Sequence, residues 1–354
     1  MKAIRSLAVA AALAVPGLAS GAGFADPLDV PAQPSTLASR TLLQGVARAG
    51  SRLVAVGSRG HVLVSTDAGA SWRQATVPVS SDLTAVFFVD ERRGWAVGHD
   101  GVILASADGG LNWTVQLEGR KANELLLAAM QRKAAARPDS AEAKALLAEA
   151  ERFKEQGADK PFLDVWFADE RNGYAVGAFN LVFRTRDGGA NWDPVFDRTD
   201  NPKLLNLYAI GRAGSGLYIA GEGGLVLKLD AQTQRFRALD LPYKGSFFGL
   251  AGDDEAVLVY GLRGNAYRTG DGGKTWSKVE TGLAASIVAG AALGKGGFVL
   301  VDAGGRIAVS GDAGRTFKVV PLPNPVPVAG ITDAGDGRLA LVGPRGATVA
   351  ALPR

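Results

Sequence analysis

An eight-residue segment, Ser/Thr-x-Asp-x-Gly-x-x-aromatic, recurs five times along this chain. An Asp carboxylate accepts hydrogen bonds from the backbone N–H groups that follow it, and Gly adopts backbone conformations closed to other residues. Each copy therefore predicts a tight turn, which we call an Asp turn, and its aromatic residue is large enough to pack between sheets. We assign structural roles to Asp67, Trp72, Asp108, Trp113, Asp187, Trp192, Asp271, Trp276, Asp312 and Phe317.

The spacing of the Asp turns constrains the fold further. The Asp residues of the first two copies are 41 apart, those of the last two are 41 apart, and 84 residues separate the third from the fourth. A period of about 40–45 residues with strand-like content is typical of a β-propeller with one four-stranded blade per repeat. A second motif, Gly-x-x-Gly, recurs at 57–60, 98–101, 221–224, 261–264 and 343–346, with degenerate copies at 177–180 and 302–305. We predict an all-β, seven-bladed β-propeller.

Two segments depart from this regularity. Blade seven, from about Val328, has sequence for three strands, and we expect residues 28–40 to supply a fourth so that the ring has no open edge. Between blades two and three, the insert at 119–161 is predicted to form a helical hairpin. Its helices are expected at 124–136 and from a capping box at Asp139 and Glu142 to Gln156, each with an apolar stripe. We expect this hairpin on the face of the Gly-x-x-Gly turns, and replacement of 121–158 by a short Gly/Ser linker to leave the propeller folded.

Residues 1–25 are predicted to be a secretory signal, followed by the propeller at 26–354. Lys2 and Arg5 precede an apolar run, and cleavage is expected after Ala22 or Ala25. We therefore expect an exported, periplasmic protein, either free or peripheral to the membrane. The chain has no cysteine, so we expect neither a disulfide nor a lipid-anchor thiol.

Charge and composition also exclude some classes of ligand. Removal of the signal's two basic residues lowers the formal net charge from +4 to +2, too little to favour nucleic acid. The two histidines and the absence of cysteine argue against a zinc site. We expect no metal and no small-molecule cofactor.

The repeats resemble the Asp-box, or BNR, repeat. VWFADERNGYAVG at 165–177 with FRTRDGGANW at 183–192 resembles the photosystem II assembly/stability factor family, and the likeness covers about residues 42–350. This resemblance implies a non-enzymatic scaffold that assists the assembly of a membrane complex. The helical insert resembles exported bacterial relatives associated with resistance–nodulation–division exporters rather than the photosynthetic members.

The Gly-x-x-Gly turns are expected to converge on one face and to present variable residues there. The candidate partner-binding residues are Arg59, His99, Asp100, Phe179, Asn180, Glu222, Arg263 and Arg345. The glycines stay fixed while the side chains between them change from blade to blade. A recognition surface on a repeat scaffold is expected to have this pattern, and ordinary solvated turns remain the alternative for any single residue. Thr84, Asp164 and Asn206 occupy matching inner-strand positions and are expected to line the channel, either for a ligand or for water.

We carry three hypotheses for function. The first is a monomeric scaffold that binds a membrane protein or membrane complex. The alternative is a glycan-acting hydrolase, because sialidases also carry Asp boxes; such an enzyme requires a carboxylate pair about 5–10 Å apart in the channel mouth. The Phe/Tyr-Arg-Ile-Pro segment of sialidases is absent from the sequence, so we assign no catalytic residue. A glycan-binding lectin is the third.

Overall fold

Seven antiparallel sheets form a closed ring in the computed structural model, which describes residues 25–294, 296–322 and 325–352. The inner strands of successive sheets contact one another, and the inner strand of the last sheet contacts that of the first. The predicted seven-bladed propeller is confirmed. The predicted signal segment lies outside the described residues, except for Ala25.

Six blades have four strands, and the strands follow chain order from the channel outward. Blade one contains β1 Leu43–Ala49, β2 Arg52–Gly57, β3 Val62–Ser65 and β4 Arg73–Gln74; blade two contains β5 Leu83–Phe88, β6 Gly94–Gly98, β7 Ile103–Ser106 and β8 Thr114–Leu117. Blade three contains β9 Phe162–Phe167, β10 Gly173–Gly177, β11 Val182–Thr185 and β12 Asp193–Pro194; blade four contains β13 Leu207–Ala213, β14 Gly216–Gly221, β15 Val226–Asp230 and β16 Arg235–Ala238. Blade five contains β17 Phe247–Gly252, β18 Val257–Gly261, β19 Ala266–Thr269 and β20 Ser277–Val279; blade six contains β21 Ile287–Gly294, β22 Gly297–Asp302, β23 Ile307–Ser310 and β24 Lys318–Val320.

Blade seven has three strands, β25 Gly330–Gly335, β26 Arg338–Gly343 and β27 Gly346–Ala351, so the expected fourth strand from residues 28–40 was wrong. This segment contains Pro31 and Pro34 and follows Pro27, and proline cannot donate a hydrogen bond to a ladder. The segment instead crosses blade one: Ala32 N donates to Val77 O (3.1 Å), and a turn at Ala38–Arg40 contacts β27. It therefore ties blade one to blade seven without forming a strand.

The core consists of clusters between neighbouring blades. β6, with the sequence GWAVG, is buried along its whole length because both its faces are covered by adjacent blades. Between blades two and three, the Trp95 and Phe167 rings stack with centroids 3.4 Å apart. The Asp-turn tryptophans Trp113 and Trp192 are each 4% exposed, as expected for residues that fill the space between sheets.

The insert forms two helices, α1 Gly119–Ala136 and α2 Ala141–Gln156. Helix α1 starts before the predicted residue 124, because the Glu118 carboxylate accepts from the backbone N–H groups of residues 120 and 121. Helix α2 is capped by Ser140, whose Oγ accepts from Ala143 N (3.2 Å), and not by Asp139 as predicted. Within the part of the chain that the structure describes, no helix is both long enough and apolar enough to cross a membrane.

The apolar stripes of both helices pack against the propeller. Leu126 of α1 and Phe153 of α2 are fully buried in one cluster with Leu181 and Phe196 of blade three. Removal of the hairpin would expose this apolar surface to water, at a cost of about 25 cal/mol per Å². The expectation that the propeller stays folded when a linker replaces 121–158 stays a prediction, and the exposed surface would make such a variant less stable.

Candidate partner-binding face and central channel

The Gly-x-x-Gly turns join the second and third strands of each blade and lie on one face of the ring. Antiparallel strands alternate in direction, so these turns share a face with the links between blades, while the Asp turns lie on the opposite face. Helix α1 begins beside one of them, since a Cβ on Gly101 would lie 2.6 Å from Gly119 Cα. The hairpin is thus on the predicted side, which we call the Gly-x-x-Gly face.

The glycines of these turns are required by close backbone contacts. A Cβ on Gly57 would lie 2.2 Å from Leu42 O, a distance that no side chain tolerates. In blades one to five the residue in the third position is left-handed even where it is not glycine, as for Arg59 (φ 59°), Phe179 (φ 52°) and Arg263 (φ 57°). This region is uncommon for non-glycine residues, and the tight turn holds the side chains in it.

The structure separates the eight candidate residues by exposure. Arg59, His99, Phe179, Arg263 and Arg345 are exposed, and Asp100 and Glu222 are half-buried. Asn180 is 1% exposed, so it offers no side chain to a partner. Its Nδ2 donates to Phe196 O (2.9 Å), and its Oδ1 accepts from Thr199 and Asn201. Asn180 therefore anchors the loop after blade three.

A second set of polar residues, which the sequence analysis missed, supports these turns. The third-position N–H of several turns donates to a side chain that directly precedes the next inner strand. Arg59 N donates to Asp82 Oδ1 (2.7 Å) and Phe179 N to Asn206 Oδ1 (2.9 Å). Gly223 N and Arg263 N donate to the Oγ atoms of Ser246 and Ser286. Asn206 thus supports a turn and is absent from the channel lining that we had predicted for it.

Phe179 joins the turn surface to the hairpin. Its ring is 43% exposed and packs edge-on against Phe153 of α2, with centroids 6.3 Å apart. The Lys160 ammonium, whose residue is 5% exposed, lies 4.9 Å from the Phe153 centroid and 5.8 Å from the Phe179 centroid. On blade three, Asp197 accepts from Lys133 of α1 at 2.9 Å. The hairpin and the exposed Phe179 ring therefore form one continuous, fixed surface.

The mouth of the central channel on this face is built by β-bulges. In blades one to six, the inner strand contains one extra, unpaired residue. This residue directly follows the one that pairs with the first residue of the Gly-x-x-Gly turn, which is Asp302 in the degenerate turn of blade six. A bulge re-aims the extra side chain. These residues are Gln44, Thr84, Leu163, Tyr208, Phe248 and Val288, and all line a cavity of about 360 Å³. The prediction that Thr84 lines the channel is confirmed.

Asp164 also lines this cavity, one residue beyond the bulge of blade three. Its Oδ1 accepts from Val165 N (2.9 Å), and its Oδ2 accepts from Ile210 N of blade four (2.8 Å). Burial raises the pKa of the Asp164 carboxyl to about 7, against the lowering effect of these two hydrogen bonds. The channel therefore carries a carboxyl group that titrates near neutral pH.

The carboxylates of the Asp turns are occupied by their own turns. Asp67 Oδ1 accepts from Ser71 N (2.9 Å) and Ser65 Oγ (2.8 Å). Hydrogen bonds from the Ser71 hydroxyl, the Ser71 backbone and the Ser65 hydroxyl lower the pKa of Asp67 to about 2. In blade two, Asp108 Oδ1 accepts from the N–H groups of Leu111 and Asn112, both at 3.0 Å. This geometry is that of turn-forming residues.

Comparison with known proteins finds relatives that are similar in sequence and solved structures that are similar in fold. The "Photosystem II assembly lipoprotein Ycf48" of Synechococcus sp. (strain CC9902) is 30% identical over 195 residues, which are 53% of this chain and 57% of that relative. The solved structure "YCF48 from Cyanidioschyzon merolae" superimposes with a TM-score of 0.65 at 16% identity, over 90% of this chain and 97% of that one. "YCF48 bound to D1 peptide" superimposes with a TM-score of 0.62 at 14% identity, over 92% and 100%. At these identities the superpositions show the fold.

The family described as "Photosynthesis system II assembly factor YCF48" matches residues 29–107, 64–131 and 148–320. These segments include most of the propeller and both ends of the helical insert. Together with the seven blades and their Asp turns, the match shows that this chain belongs to that family.

Proposed function

We propose that this protein is an exported, non-enzymatic β-propeller scaffold that binds a membrane protein or membrane complex through its Gly-x-x-Gly face and assists its assembly. The observation that carries the proposal is the construction of this face. Fixed glycine turns hold exposed and chemically different side chains, among them Arg59, Phe179 and Arg263. Surfaces of this kind on rigid repeat scaffolds are used for recognition.

Family membership supports the choice of partner. The relatives are named assembly proteins of photosystem II, a membrane complex, and one neighbour of the same fold is a YCF48 bound to a peptide of D1. We infer that this chain likewise recognises an exposed segment of a membrane protein. The exposed Phe179 ring beside the hairpin is an apolar contact of the kind that anchors such interfaces.

We further propose that the client is a resistance–nodulation–division-type exporter. The feature that favours this client is the docked hairpin of α1 and α2, which interrupts an otherwise regular repeat and widens the Gly-x-x-Gly face beside blade three. Identification by mass spectrometry of the proteins that co-purify from detergent-solubilised envelopes tests this point. Recovery of a different membrane complex would contradict the proposed exporter client but would still support the scaffold function.

The scaffold function itself is tested by paired surface variants. Arg263→Ala with Arg345→Ala removes two exposed charges from the Gly-x-x-Gly face. Arg73→Ala with Lys274→Ala removes two exposed charges from the rim and the Asp-turn face and is the matched control. We expect the first pair to reduce co-purification of the membrane partner several-fold and the second pair to leave it unchanged. Equal recovery with both pairs would contradict the proposed face.

The hydrolase alternative requires two carboxylates in the channel mouth, whereas the described channel lining contains one, that of Asp164. We therefore favour the scaffold.

A further inference from the structure

We propose that the central channel binds a primary ammonium group carried on an apolar stem, supplied either by a lysine side chain of a bound chain or by a free alkylamine. This inference goes beyond the proposed function, because the channel can hold an amine whether or not the Gly-x-x-Gly face binds a membrane protein. It rests on three features of the channel mouth: its apolar wall, its single carboxylate, and the way that carboxylate is already hydrogen-bonded.

One side of the channel mouth carries apolar and aromatic side chains, while the exposed lining as a whole is mainly polar. The bulge residues of blades three to six are Leu163, Tyr208, Phe248 and Val288, all half-buried in the lining. The rings of Tyr208 and Phe248 meet edge to face, with centroids 5.8 Å apart. Such a wall can receive methylene groups, and aromatic rings also attract a cation.

The same cavity holds a carboxylate that has no cationic partner. The lining of the described channel contains no lysine, arginine or histidine. The hydrogen bonds to Asp164 come from the backbone N–H groups of Val165 and Ile210. An entering ammonium group would therefore find an unpaired negative charge and form a charge-assisted hydrogen bond with it.

The existing hydrogen bonds favour ammonium over guanidinium. A bidentate guanidinium contact needs both carboxylate oxygens in one plane. Each Asp164 oxygen already accepts a backbone N–H, Oδ1 from Val165 and Oδ2 from Ile210. A compact ammonium group needs only one of the remaining lone-pair positions. Anions would be repelled, and a neutral alcohol would gain the apolar contacts without the charge pairing.

The protonation state of Asp164 gives the binding a pH signature. The other titratable groups in or beside this lining are Tyr208 and Tyr260; burial, and then the nearby Asp164 charge, raises the pKa of Tyr260 above its usual range, so this phenol stays neutral. Burial raises the pKa of Asp164 to about 7. An alkylamine remains charged over this range, since its pKa is about 10. Amine binding should therefore weaken as the pH falls through the pKa of Asp164.

The test is an NMR titration of the full chain with n-butylamine, followed at the amide signals of Val165 and Ile210. We expect the apparent Kd of the wild-type protein to be at least about tenfold weaker at about pH 5.5 than at about pH 8. In Asp164→Asn the Kd should be weak and independent of pH. 1-Pentanol should bind both proteins equally, because it lacks the charge. Pentanoate should not bind at either pH.

A second arm distinguishes the source of the amine, with the peptide acetyl-Gly-Lys-Gly-amide as probe. Shifts of the same two amides by the peptide would assign the site to a lysine side chain, whereas shifts by n-butylamine alone would assign it to a free amine. Should Asp164→Asn fail to fold, Phe248→Leu provides the second variant, in which loss of the aromatic ring should weaken n-butylamine more than 1-pentanol. Absence of any shift at about 100 mM n-butylamine, or a wild-type Kd that does not change with pH, would overturn the proposal.

Discussion

At the scale of single residues, two sets of polar side chains act on the backbone and differ in how visible they are in the sequence. The Asp turns are predictable, because Asp and Gly recur at fixed offsets before an aromatic residue. The supports of the Gly-x-x-Gly turns, such as Asp82 and Asn206, are single residues before an inner strand and have no motif around them. The bulges that aim Tyr208 and Phe248 into the channel were also missed, because a bulge is a property of the pairing between two strands.

The first prediction concerns an Asp turn. Asp108→Ala should lower the free energy of unfolding by about 1–3 kcal/mol, because the N–H groups of Leu111 and Asn112 lose their acceptor. Asp108→Asn is the matched control, since its side-chain oxygen can still accept from both N–H groups and only the bond from Asn112 Nδ2 to Oδ2 is lost, so it should cost less. Chemical denaturation measures both. An alanine variant as stable as the wild type would show that this turn does not depend on its carboxylate.

The second prediction is that stability depends on pH with opposite signs in two ranges. The pKa of Asp67 is lowered to about 2 from 3.8, so the native state loses stability as the pH falls from about 4 towards 2. The pKa of Asp164 is raised to about 7 from 3.8, so the native state binds a proton that the unfolded state does not, and stability rises as the pH falls from about 7 to 4. Thermal unfolding in a pH series should show both changes in stability. Asp164→Asn should remove only the change between about pH 7 and 4. If that change persists in the variant, another group causes it.

At the scale of elements, the hairpin and the N-terminal segment show how far the sequence analysis reached. The two helices were predicted from their apolar stripes, and both stripes pack into one cluster with blade three, partly buried at Leu125 and Leu147 and fully at Leu126 and Phe153. The start of α1 was placed too late, because its first turn is capped by Glu118 and adds only the small Ala122 to the apolar stripe, four residues before Leu126. Burial of Phe153 against blade three could not be read from the sequence, since the stripe fitted a free partner equally well.

The third prediction tests how firmly the hairpin is docked. Phe153→Ala should lower the free energy of unfolding by about 3–5 kcal/mol, because a fully buried ring between Phe179 and Phe196 leaves a cavity. Glu151→Ala, at an exposed position of α2 two residues away, is the control and should change it by less than about 0.5 kcal/mol. In the Phe153→Ala variant, amide hydrogen exchange should become faster in α1 and α2 than in the wild type, while exchange in the blades should change less. A small loss with unchanged exchange would mean that the hairpin is not part of the core.

At the scale of the whole molecule, the number of blades followed from repeat spacing, but the closure of the ring did not. Each blade contacts only its neighbours, so one period predicts the next. Closure joins the two ends of the repeat array and depends on residues outside it. Here a three-stranded blade meets β1, and Leu28 and Ala38 of the N-terminal segment are buried against their neighbours.

The fourth prediction is that this segment stabilises the closed ring. A chain that begins at residue 41 should unfold at a lower temperature than one that begins at residue 25, because it loses the burial of Leu28 and the hydrogen bond of Ser80 N to Pro27 O (2.9 Å). Leu37→Ala is the control within the same segment, as Leu37 is 60% exposed and should leave the Tm unchanged. Identical melting of the two chains would show that the ring closes without the segment.

The central claim, that the Gly-x-x-Gly face binds a membrane partner, is tested most directly by photo-crosslinking in intact cells. A p-benzoylphenylalanine residue replaces Phe179, which is exposed beside the hairpin, or Lys274, which is exposed on an Asp turn of the opposite face. Both variants should have the wild-type Tm. We expect the probe at Phe179 to give a discrete adduct with a membrane protein and the probe at Lys274 to give none. Adducts of the same protein from both positions, or from Lys274 alone, would contradict this account.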